Sequence, residues 1–121
     1  MRIYVAGPLT SDLGPVGYIV NVARMCHVAI RLWRLGHLPY VPGLDFLLIF
    51  ASVSGVSEPL SLGEVRDMNM QWLPQCQGLY LIAHSPGADA EALRARQLGL
   101  PVYESIEDIP EAEVGACSPD G

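Results

Sequence analysis

The chain has 121 residues, half of them apolar and 17% charged, with a formal net charge of −6. That length fits one compact domain, and the apolar fraction excludes a disordered chain. All seven basic residues are arginines, and seven acids balance them up to Tyr103. The surplus therefore rests on Glu104, Glu107, Asp108, Glu111, Glu113 and Asp120, and a neutral body with an acidic tail lacks the clustered basic face that duplex nucleic acid or an anionic membrane requires.

Three cysteines, Cys26, Cys76 and Cys117, are an odd number without close spacing, which fits neither a disulfide framework nor a zinc knuckle. The opening M-R-I-Y-V-A-G-P has neither the basic flank nor the long apolar stretch of a secretory signal, so the expected location is a reducing cytoplasm. The longest apolar run, residues 46–53, is too short to span a bilayer.

Taken in chain order, Arg2–Ala6 is a short β-rich run stopped by Gly7-Pro8 and reads as a buried first strand. A loop through Thr10 to Gly14 leads to Pro15 at a helix start. From Tyr18 the pattern is helical, with Ile19, Val22, Ala23, Cys26, Ala29, Ile30 and Trp33 expected on the buried face, and Asn21, Arg24, His27, Arg31 and Arg34 on the solvated one. Gly36 ends this helix. Residues 37–41 form a second strand, closed by Pro42-Gly43. Residues 44–53 are apolar nearly all round, as expected of a short buried helix or one covered by another subunit.

Ser61-Leu-Gly-Glu64 is a capping box opening a helix that runs to about Leu73. Residues 78–83 read as a third strand, Ser85-Pro86 starts a helix ending at Gly99, and residues 101–103 form a fourth strand. Residues 105–108 offer one last helical turn. Strands alternating with helices through short connections define an α/β protein with a mostly parallel sheet of four to five strands and helices on both faces. With the first strand central, the ligand crevice lies beyond the strands' carboxyl ends, between the loops at 7–10 and 84–88. The domain is expected over residues 1–110, with residues 111–121 an acidic, disordered tail.

The stretch Ser85-Pro-Gly-Ala-Asp-Ala-Glu91 is the most informative. Small residues after a serine cap leave backbone N–H groups of Gly87 and Ala88 open to a phosphate or carboxylate. On these residues alone the plainer reading, a capped helix whose early acids complement its dipole, is preferred. Gly7-Pro8 is either a simple turn or a place where a ligand approaches the backbone. No G-x-G-x-x-G follows and no P-loop lysine exists, which excludes kinases and P-loop NTPases. Tyr4 reads as core, with a hydroxyl needing a partner when buried. Of Asp67 and Asn69, two apart on one helix, only one faces the crevice, and Asp67 reads first as a solvated side chain. The histidines form no triad, since His84-Ser85 lacks the G-x-S-x-G elbow, His27 falls on a polar face and His37 begins a strand. No paired spacing points to a metal.

Four motifs in order, R-I-Y-V-A-G-P, N-V-A followed by L-G-H-L-P-Y-V-P, N-M-Q-W-L-P-Q-C, and S-P-G-A-D-A-E with G-L-P-V-Y after it, extend to about Pro110. Together they resemble the nucleoside 2-deoxyribosyltransferase-like superfamily, above all its small bacterial and phage members. The resemblance implies a flavodoxin-like (Rossmann-like) three-layer sandwich and N-glycosidic bond cleavage or transfer on a nucleoside or nucleoside 5′-monophosphate, without a cofactor. It implies Glu91 as nucleophile and Tyr4 as the residue that holds it. It also implies Ser85, where relatives acting on 5′-monophosphates carry serine, as a phosphate ligand beside Gly87 and Ala88, with Gly7 and Pro8 lining the site. Asn69 stands where many relatives carry an aspartate that contacts the sugar or helps the base depart, and an amide cannot be a general acid. Gln77 replaces a further aspartate and Gly43 a histidine, while Asp67 needs a register shift to substitute for Asn69. The implied partner is a small-molecule nucleoside or nucleotide, with no nucleic-acid polymer and no membrane. The alternative is a non-catalytic nucleotide-binding module of the same fold. The adjacent apolar residues at 46–50 add an expectation of a homodimer or higher homo-oligomer.

Overall fold

The computed structural model describes residues 1–9, 14–42, 48, 51, 54, 55 and 58–110. The apolar segment 44–53, apart from Leu48 and Ala51, and the tail from residue 111 lie outside the described residues. Among the described residues four strands, β1 (Arg2–Ala6), β2 (Leu38–Tyr40), β3 (Gly78–Leu81) and β4 (Val102–Tyr103), form one sheet in the order β2-β1-β3-β4. Every pairing is parallel. Among the described residues the helices α1 (Pro15–Arg34), α2 (Leu62–Trp72) and α3 (Pro86–Gln97) complete a flavodoxin-like three-layer α/β fold.

Strand β1 explains the layering. Its side chains alternate faces and both faces are covered, so Ile3 and Val5 pack against Met25, Val28 and Leu32 of α1. Tyr4 and Ala6 turn to the other face, where Leu79 and Leu81 of β3 meet Ala88, Ala92 and Ala95 of α3. Met70 of α2 and Leu73, in the 3-10 turn Leu73–Gln75 that follows it, join the same cluster.

The helix boundaries have local causes. Ser61 accepts a hydrogen bond from the Glu64 N–H at 3.1 Å, and the Glu64 carboxylate accepts from the Ser61 N–H at 3.3 Å, completing the capping box at α2. Helices α1 and α3 end alike. Gly36 (φ 89°) and Gly99 (φ 76°) take the left-handed conformation. Bonds from His37 N–H to Leu32 C=O (3.0 Å) and from Leu100 N–H to Ala95 C=O (2.9 Å) then close a Schellman motif at each end.

One expectation is corrected. The face of α1 that packs on the sheet consists of Val22, Met25, Val28, Ala29 and Leu32, whereas Ile19 (64% exposed), Ile30 (56%) and Trp33 (64%) point away from it. The helix is apolar on two sides, and hydrophobic periodicity alone does not choose between them. No helix among the described residues is long and apolar enough to cross a membrane.

Candidate functional site

The strand order changes direction between β1 and β3, because β2 lies on one side of β1 and β3 on the other. Chains leaving the carboxyl ends of β1 and β3 diverge there, which opens the crevice of such a sheet. The loop after β1 and the start of α3 border it.

Helix α3 supplies the carboxylate. Ser85 caps it, its Oγ accepting from the Ala88 N–H at 3.1 Å. That N–H is engaged by the cap as the structure stands, while Gly87 N–H is a first-turn donor with no carbonyl to meet within the helix. A Cβ placed on Gly87 would meet nothing within 4 Å, so space is open over this turn. Ala88, Ala92 and Ala95 recur at helical spacing on the buried face, and Glu91, three residues after Ala88, falls on that side and is half-buried. Its Oε2 is shielded from solvent.

Tyr4 is fully buried and its Oη is likewise shielded. It belongs to the same cluster as Ala88 and Ala92, so its side chain occupies the layer between β1 and α3. Glu91 lies six residues past the cap, about 9 Å along the helix axis. Tyr4 lies two residues before the end of β1, about 7 Å back along the strand.

Asn69 joins this side through Tyr40. The Tyr40 hydroxyl donates to Asn69 Oδ1 at 2.9 Å, the Tyr40 ring lies 5.4 Å from Tyr4, its cross-strand neighbour, and it stacks on Trp72 of α2 at the same separation. Asp67 is exposed, the solvated alternative of the pair.

Gly7 is buried, and a Cβ there would stand 3.2 Å from Ile82 Cβ, so close packing of the two strand ends is reason enough for glycine. With Pro8, Asn21, Arg24, Met25 and Ile82 it lines a narrow dent that has no room for a water molecule. A roomier open groove, about 440 Å³, lies along α2 between Met68, Gln71, Trp72 and Gln75.

Two further polar residues lie near the crevice, His84 in the loop expected to border it and Asn21, which was not expected there. Asn21, read as surface, is half-buried and its Nδ2 donates to the Leu9 carbonyl at 3.1 Å, fastening the loop after β1 to α1. An amide interrupting the arginine face of α1 is the one sequence signal that pointed to it. His84 follows β3, with Nδ1 2.6 Å from Asp89 Oδ1 and Nε2 3.4 Å from Glu104 Oε1. The hydrogen bond to Asp89, with the charges of both acids, raises the imidazole above its ordinary range.

Compared with known proteins, the chain matches no family model, and neither the curated proteins nor the solved structures give a match.

Proposed function

We propose that the crevice cleaves or transfers the N-glycosidic bond of a nucleoside or nucleoside 5′-monophosphate, with Glu91 as nucleophile. The observation that carries this reading is the half-buried carboxylate of Glu91, its Oε2 shielded, on the helix face that packs against the buried Tyr4 beneath the β1/β3 switch point. A carboxylate below the anomeric carbon stabilises an oxocarbenium-like transition state. It then forms a glycosyl ester as the C–N bond breaks and its electron pair leaves with the base, which takes up a proton. Water or a second base resolves the ester and frees Glu91. Tyr4 orients the carboxylate, Ser85 and the first turn of α3 receive the 5′-phosphate, and Gly7 and Pro8 complete the substrate-binding set, with Asn69 rather than the exposed Asp67 on that side. The reading includes a cytoplasmic homo-oligomer and no cofactor.

The test measures free base released from a panel of nucleosides and 5′-monophosphates. Release that disappears in Glu91→Ala supports the reading, as does a covalent adduct on Glu91 in the intact mass after incubation with a 2′-fluoro nucleotide analogue. Folded protein with no turnover across the panel overturns it.

A second reading, a nucleotide-binding module without chemistry, is favoured by Asn69. An amide there donates no proton to a departing base, and its Oδ1 is already engaged by Tyr40. Thermal stabilisation by a nucleotide that is recovered intact selects this reading over the first.

A further inference from the structure

Helix α1 has a second apolar side, turned away from the sheet. Val16, Ile19, Ala23, Cys26, Ile30 and Trp33 recur along it at intervals of three, four, three, four and three residues. That is the spacing of a coiled-coil seam. Val16, Ile19, Ile30 and Trp33 are between 56% and 69% exposed, and Val20 beside them is 53% exposed. Five large side chains at that exposure present on the order of 500 Å², the size of the largest apolar patch on a typical monomer, which is often a functional surface. Two such faces together reach roughly the 1,000 Å² that a specific interface requires.

The order of residues indicates the occupant. The intervals read the same in both directions about the midpoint between Ala23 and Cys26. Two copies laid antiparallel across a two-fold axis at that point set Val16 against Trp33, Ile19 against Ile30 and Ala23 against Cys26. The bulkiest side chain meets a smaller one at each end, and small residues meet where the helices come closest. Charge points the same way. Helix α1 contains Arg24, Arg31 and Arg34 and no acid, so parallel pairing would place each arginine beside its own copy. Antiparallel pairing leaves the two Arg24 side chains one residue apart along the axis, but it separates those of Arg31 by about 20 Å and those of Arg34 by about 28 Å of helix, well beyond the screening length at physiological salt.

We propose that α1 is a dimerisation helix, pairing antiparallel with α1 of a second copy of this chain through the Val16–Trp33 seam. The seam lies on the opposite side of the sheet from Glu91, so the proposal stands independently of the glycosidic reading. Sedimentation and light scattering of the full chain should give a dimer. Ile19→Glu combined with Ile30→Glu, both exposed in one copy, should weaken association at least a hundredfold while leaving the circular dichroism spectrum unchanged. To fix the register, Ile19→Cys with Ile30→Cys is prepared in a Cys26→Ser, Cys117→Ser background and oxidised. Peptide mapping should then join position 19 of one copy to position 30 of the other. A monomer at all concentrations, a dimer that survives the two glutamates, or links joining 19 to 19 and 30 to 30 would each overturn the proposal.

Discussion

The Tyr40 hydroxyl donates to Asn69 Oδ1 at 2.9 Å, and this bond ties the edge strand β2 to α2. It is partly buried, where a neutral hydrogen bond contributes about 1 kcal/mol net. Tyr40→Phe keeps the ring against Tyr4 and Trp72 and should lower unfolding free energy by about that amount in urea titration. A double-mutant cycle with Asn69→Ala should return a coupling of similar size; additivity of the two substitutions would show that the bond contributes nothing.

Ser85 is the cap of α3 through its 3.1 Å bond from the Ala88 N–H. Ser85→Ala should cost about 1 kcal/mol, read as a lowered urea midpoint at unchanged slope. Ser85→Asp should preserve the cap and its stability. In the proposed enzyme it should also weaken use of 5′-monophosphates relative to free nucleosides, because a carboxylate there repels phosphate.

His37 is buried and its Nδ1 lies 2.9 Å from the N-terminal ammonium. Burial, then the nearby positive charge, hold its imidazole below the ordinary value of 6.5. The unfolded chain therefore binds a proton at a pH where the folded protein does not, so this contribution to stability is complete above about pH 6.5 and falls as pH drops below it. Chemical denaturation from pH 8 to pH 5 should show the decline, and His37→Gln should flatten it.

His84 behaves oppositely. Its bond to Asp89 raises the imidazole pKa, so whatever stability it contributes is present below the unfolded value and disappears as pH rises through the folded one. Titration followed by NMR should place His84 above 6.5, and Asp89→Asn should bring it back toward that value. An unchanged midpoint in the variant would remove Asp89 as the cause.

The strand and helix sequence was legible because each boundary has a local chemical mark, such as Gly36 and Gly99 at helix ends, the Ser61/Glu64 box and Ser85-Pro86. That β1 is buried was visible in its apolar run, whereas its place between β2 and β3 was assumed in reading the sequence and is given by the strand pairing. The inward face of α1 was not legible. With Ile19, Ile30 and Trp33 on one side and Met25 and Leu32 on the other, only contact with Ile3 and Val5 decides. At the site, the six-residue interval from Ser85 to Glu91 is local and was visible. The Tyr40–Asn69 bond, the hold of Asn21 on Leu9 and the meeting of His84 with Glu104 join residues 12 to 29 positions apart. No spacing rule encodes such contacts.

The alanine face of α3 has a consequence for any attempt to alter this protein. The helix contributes only methyl groups to this layer, so the space between helix and sheet is filled from the sheet side, by Tyr4, Leu79 and Leu81. Substituting Ala88, Ala92 or Ala95 by anything larger presses on these buried side chains and shifts the helix, and Glu91 with it. These three positions therefore act as the gauge of the carboxylate's height, and redesign of the crevice is better begun from its rim, at Gly87 or Asp89, than from its floor.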